Sequence, residues 1–82
     1  MNNIEIGKEA CIERIGREFV DLHRDTACFS TQEMDDRTVF CFLGIDLHAD
    51  DRKACLTNEK NWDVYASCYV RDGVVEMSDC SV

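Results

Sequence analysis

The chain contains no proline and no run of lysine and arginine, and its acids outnumber its bases 17 to 9. Without proline there is no proline linker, and no internal repeat or low-complexity tract divides the 82 residues. Without a basic segment, nucleic acids and anionic membranes are poor partners, because both present negative charge that a net charge of −8 repels. No apolar run approaches the ~18 residues needed to span a bilayer. The opening Met1-Asn2-Asn3-Ile4-Glu5 lacks the basic and apolar regions of a secretory signal. The expectation is therefore a cytoplasmic location, in a bacterial or phage-like setting.

Chemistry-bearing patterns are equally scarce. No serine sits in a Gly-x-Ser-x-Gly elbow, and no glycine loop is built to cradle phosphate. His23 and His48 are the only histidines. His23 falls near a helix C-terminus, where a partly positive imidazole suits the helix dipole. His48 stands beside Asp46 and Asp50 at alternating spacing, an arrangement similar to a weak divalent-metal site; a solvated strand end explains it more simply. A chain of this length has little room for a deep pocket. No catalytic, cofactor or metal residue is assigned, no cofactor is expected, and the chain reads as a non-enzyme.

The six cysteines, at 11, 28, 41, 55, 68 and 80, include no close CxxC pair of the redox or zinc-knuckle kind. Cys41 and Cys68 fall inside apolar strand patterns and Cys11 on a helix face. All six are expected to be reduced thiols that behave as small hydrophobes.

What is present is the composition of a folded protein, 45% hydrophobic and 32% charged. The length suits one domain, residues 1–82, with a core near the lower limit for stability. The organising stretch is Thr38-Val39-Phe40-Cys41-Phe42-Leu43-Gly44-Ile45-Asp46-Leu47, the most apolar run and rich in β-formers. Its odd positions are wholly aliphatic, apart from one thiol. Its even positions begin aromatic, with Phe40 and Phe42, and end polar. A strand apolar on both faces belongs in the middle of a sheet and needs cover on both sides.

Around it the other elements fall into order. Lys8 to about Asp25 reads as one helix, with Cys11, Ile12, Ile15, Phe19 and Leu22 on a single stripe. Glu13→Arg17, Arg14→Glu18 and Arg17→Asp21 would support its outer face. Gly16 within it costs about 1 kcal/mol relative to alanine and is expected to mark close approach to a strand. Ala27 to Met34 reads as a first strand, and Asp35-Asp36 as a two-residue turn into the organising strand; Ser30-x-x-Glu33 also fits a capping box opening a helical turn. The turn pairs Phe29 with Phe42, Thr31 with Phe40 and Cys28 with Leu43. His48 to Asn61 is a polar connection in which Ala54-Cys55-Leu56 suggests some local order. Trp62 to Val70 is a third strand, Asp72-Gly73 a type I′ hairpin turn, and Val74 to about Cys80 a fourth strand. That turn pairs Val70 with Val75, Cys68 with Met77 and Tyr69 with Glu76.

The fold expected is α+β and two-layered: an N-terminal helix packed on a four-stranded antiparallel meander, α-β-β-β-β. It is similar in outline to cystatin-like and PepSY-like small domains. One amphipathic helix covers one sheet face, and the aliphatic face is the smoother one for it. Phe29, Phe40, Phe42, Tyr65 and Tyr69 are then expected together on the opposite face, rimmed by Glu33, Asp35, Asp36 and Glu76. The 56 residues from 27 onward carry a net −6 of the total −8. If Ala54-Cys55-Leu56 does not fold over it, an aromatic centre with an acidic rim suits a basic protein partner. The expected function is a small acidic protein-binding domain, of the kind used by phage anti-CRISPR and anti-restriction inhibitors or by immunity proteins. The alternative is a homodimer in which the same face meets a second copy.

Overall fold

The computed structural model describes residues 2–48 and 62–81. The order of elements is α1 (Asn3–Ile15), α2 (Arg17–Leu22), a 3-10 turn (Arg24–Thr26), then β1 (Ala27–Glu33), β2 (Thr38–Ile45), β3 (Val64–Arg71) and β4 (Val74–Ser81). The four strands form one antiparallel sheet in the order β1-β2-β3-β4, with α1 packed across β2 and β3. The architecture is thus two-layer α+β, as the alternation predicts. Most of the expected connection, and Ala54-Cys55-Leu56 with it, lies outside the described residues.

The helix begins five residues earlier than its apolar stripe suggests. Asn2 caps it, its side chain accepting from the Glu5 amide at 2.9 Å. Asn3 then ties the helix start to both hairpins: its Nδ2 donates to the Arg37 carbonyl (3.2 Å), and its Oδ1 accepts from the Gly73 amide (3.0 Å). At the other end Gly16, at φ 115°, ψ 121°, breaks the helix in two. The break shifts the helical phase. Cys11, Ile12 and Ile15 are buried as expected, but Val20 takes the inward position in α2 while Leu22 is 77% exposed. Arg17 pairs with Glu13 at 3.7 Å as predicted, and with Glu9 as well. Arg14 and Glu18 lie on opposite sides of the break and form no ion pair.

The close approach to the sheet is made by Gly7, not Gly16. A Cβ at Gly7 would lie 2.2 Å from Cys41 Sγ, whereas one at Gly16 would meet nothing within 4 Å. That approach brings Cys11 of the helix down to Cys41 and Cys68 of the sheet, and all three thiols are fully buried. Cys11 Sγ and Cys68 Sγ are 3.9 Å apart. Burial raises all three thiol pKa values, that of Cys41 to about 11, so they remain protonated hydrophobes. Leu43, Ile45, Ala66 and Val70 complete the core around them.

Two hairpins carry different outcomes. In β3–β4, Asp72 (φ 50°) and Gly73 (φ 80°) form the expected type I′ turn, and the three predicted pairs are all present. A bulge opposite Ser67/Cys68 then shifts the register, so Ser67 faces Asp79 and Ala66 faces Cys80. In β1–β2 the predicted register is wrong by one residue. Residues 34–37 make a four-residue connection, with the Met34 amide donating to the Thr38 carbonyl (3.0 Å). Phe29 therefore faces Leu43, Ser30 faces Phe42 and Cys28 faces Gly44. With a side-chain period of two, one step sends every β1 side chain to the other face.

The cysteine expectation is corrected at one position. Cys11, Cys41, Cys68 and Cys80 are free, but Cys28 is disulfide-bonded. The shifted register accounts for its separate fate: Cys28 lies on the face away from the helix, opposite Gly44, outside the thiol cluster.

Candidate functional site

The sheet face away from the helix carries a row of aromatic rings. Period-two alternation places Phe40 and Phe42 there from β2, and Tyr65 and Tyr69 from β3. Phe40 stands directly opposite Tyr69, with ring centroids 5.1 Å apart and planes tilted by 56°. Phe42 stacks on Tyr65 at 5.7 Å and 17°. Trp62, just before β3, closes the row: its ring centroid lies 4.3 Å from that of Phe42. Such pairs add about 0.5–1.5 kcal/mol each beyond the area they bury.

Gly44 explains how Trp62 joins the row. A Cβ there would come within 2.8 Å of both Phe42 Cε1 and Trp62 Cδ2, so the missing side chain is the space in which the indole lies. Alternation over the expected strand Trp62–Val70 puts Trp62 on the aliphatic face with Val64 and Ala66; the strand in fact begins at Val64, so Trp62 does not follow that alternation and packs on Phe42 instead. Glycine beside an aromatic-rich run is the signal that points to it.

β4 supplies the polar border. Glu76 faces Tyr69 and Asp79 faces Ser67 across the strand pair. Tyr65 Oη donates to Asp79 Oδ2 at 3.4 Å, and the negative charge of Asp79, with some desolvation, raises the tyrosine pKa. Ser67, buried between the two tyrosines, donates from Oγ to the Asp79 carbonyl at 3.4 Å. Tyr69 is 38% exposed; Phe40, Phe42, Trp62 and Tyr65 are partly buried.

Of the nine residues predicted for the site, five come together: Phe40, Phe42, Tyr65, Tyr69 and Glu76. Phe29 and Glu33 do not, because the one-residue shift of β1 puts them on the helix side, where Lys8 Nζ lies 5.8 Å from the Phe29 ring centroid. Asp35 and Asp36 sit at the β1–β2 connection, where with Glu33 and Val39 they line a hollow beside Asn3 rather than the aromatic border. Asp35 Oδ1 accepts from the Arg37 amide at 2.8 Å, which holds its carboxyl below the usual range. Arg37 in turn forks onto Asp72, so this corner carries compensated charge.

Of the pattern around His48, Asp46 and His48 lie within the described residues. Asp46 is buried, and its Oδ1 accepts from the His48 amide at 2.8 Å, while Asp63 Oδ2 accepts from the Leu47 amide at 2.9 Å. Asp50 lies outside the described residues. Among the described residues, no group of three histidine, cysteine or acidic side chains is placed to hold a metal ion. Nor, among the described residues, is any helix long and apolar enough to cross a membrane. Compared with known proteins, the chain matches no family model, no curated protein and no solved structure.

Proposed function

We propose that this chain is a small acidic protein-binding domain that engages a basic protein surface through the aromatic face of its sheet. The observation that carries the reading is the division of the sheet. The helix lies on the aliphatic face, and five rings lie on the other, Phe40 against Tyr69 and Phe42 against both Trp62 and Tyr65, with Tyr69 exposed at one end. Aromatic clusters bordered by acids are the composition of a binding hot spot for a cationic partner. The net charge of −8 favours encounter with such a partner and disfavours nucleic acid. The role is binding rather than catalysis, and it suits an inhibitor or immunity protein that occupies a basic groove.

The test uses the immobilised chain and an extract of its native host, with retained proteins identified by mass spectrometry. Tyr69→Ala should unfold at nearly the wild-type denaturant concentration yet weaken retention by about tenfold, the loss of one hot-spot contact. Raised salt should slow association. A retained set indifferent to Tyr69 and Tyr65 sinks the proposal. A dimer in sedimentation that Tyr69→Ala converts to monomer would identify the partner as a second copy.

A further inference from the structure

We propose that the partner presents an extended basic strand, which adds to the open edge of β4 as a fifth strand of the sheet. The inference rests on the protein-binding reading above and names the form the partner takes. Among the described residues β4 pairs only with β3, so alternate backbone N–H and C=O groups along it point away from the sheet. Strand addition uses those groups for affinity and the alternating side chains for selection.

The side chains of β4 specify the chemistry. On the aromatic side it presents Glu76 and Asp79; on the helix side it presents Val75 and Met77, the latter 41% exposed. A strand laid beside it would satisfy both rows by alternating Lys or Arg with apolar residues. A depression of about 480 Å³ beside the edge is lined by Thr38, Tyr69, Arg71, Asp72, Val74 and Glu76, so a basic side chain entering it meets Glu76 and must lie clear of Arg71. The aliphatic stem would lie against Tyr69 and Val74, which is 70% exposed, and the charged head would reach Glu76. Asp72 is held by Arg37, which leaves Glu76 as the acid for the incoming cation.

Two alternatives fit less well. Pairing β4 with its own copy along its whole length sets Glu76 of each chain against Asp79 of the other, and like charges directly opposite destabilise a strand pair. The other edge, β1, presents Ser30, Thr31, Gln32 and Glu33, a polar row with no exposed apolar residue to select a partner strand.

The experiment uses the full chain and a fluorescent synthetic peptide of alternating lysine and valine, matched to the 8 residues of β4. Two control peptides carry N-methyl groups on alternate amides, one for each phase, which blocks edge pairing but leaves charge and side chains. The plain peptide should bind, one methylated peptide should lose about tenfold or more in affinity, and the amides of Val75 and Met77 should gain exchange protection. Glu76→Lys with Asp79→Lys should abolish binding of the lysine peptide and admit one bearing glutamate in its place, which a merely misfolded variant would not do. Equal binding of all three peptides, lost in Tyr65→Ala, overturns the edge proposal and leaves the aromatic face standing. Binding that depends on N-methylation but is indifferent to Tyr65 supports the edge and removes the face. Failure of the plain peptide to bind, or a β4-dependent dimer in sedimentation, overturns the edge proposal.

Discussion

Gly7→Ala sets two effects of similar size against each other. In an exposed helix the substitution stabilises by about 1 kcal/mol, because alanine is the better helix former. Here the new methyl would lie 2.2 Å from Cys41 Sγ, 2.9 Å from Cys41 Cβ and 3.1 Å from Val70 Cγ2. Ordinary contact between such atoms needs about 3.5–4 Å. Rotating the Cys41 thiol would relieve only the first clash, since the Cβ is fixed by the backbone of a central strand. The helix must therefore retreat from the sheet, loosening the packing of Cys11 against Cys68 as it goes. Overpacking costs about 1–3 kcal/mol, so the net expectation is a loss of about 1–2 kcal/mol despite the gain in propensity. Urea titration at unchanged slope measures it. In a Cys41→Gly background both Cys41 contacts are gone, and a double-mutant cycle should show a favourable coupling of about 1 kcal/mol or more. A Gly7→Ala protein more stable than wild type, or a cycle without coupling, would refute the close-approach argument.

Leu43→Ala should cost about 2–5 kcal/mol in the same titration, since it opens a cavity in the centre of the helix–sheet core; a loss under ~1 kcal/mol would contradict that placement. Cys11, Cys41 and Cys68 should resist alkylation in the native protein, for burial keeps them protonated, while the partly exposed Cys80 reacts; peptide mapping by mass spectrometry reads both. Gly44→Ala should displace the indole of Trp62, the single tryptophan, and shift its fluorescence emission; an unchanged spectrum would mean that the space at Gly44 is not what seats the ring. The Arg37 guanidinium holds the Asp72 carboxyl below its ordinary value, so the stabilisation is present above about pH 4 and is lost as pH falls through the lower folded value. Acid-unfolding curves of wild type and Asp72→Asn should therefore separate above that pH and converge at lower pH.

Local pattern was sufficient wherever it repeated with a period of its own. The alternation of Val39, Cys41, Leu43 and Ile45 against Phe40 and Phe42, and the Asp72-Gly73 turn between two alternating runs, determined strand identity, the β3–β4 pairing and the face the helix covers. These signals are legible because a strand's side-chain period and a type I′ turn are properties of a few consecutive residues. What depends on distant residues was decided only in three dimensions. The length of the β1–β2 connection set the register of β1 and so moved Phe29 and Glu33 off the aromatic face. The β4 bulge brought Asp79 opposite Ser67 and within reach of Tyr65. Gly7 and Gly16 look alike in sequence, yet one is needed where helix meets strand and the other where the helix must break. Neither requirement exists until the helix lies on the sheet, because the atom that excludes a side chain at Gly7 belongs to Cys41, thirty-four positions along the chain.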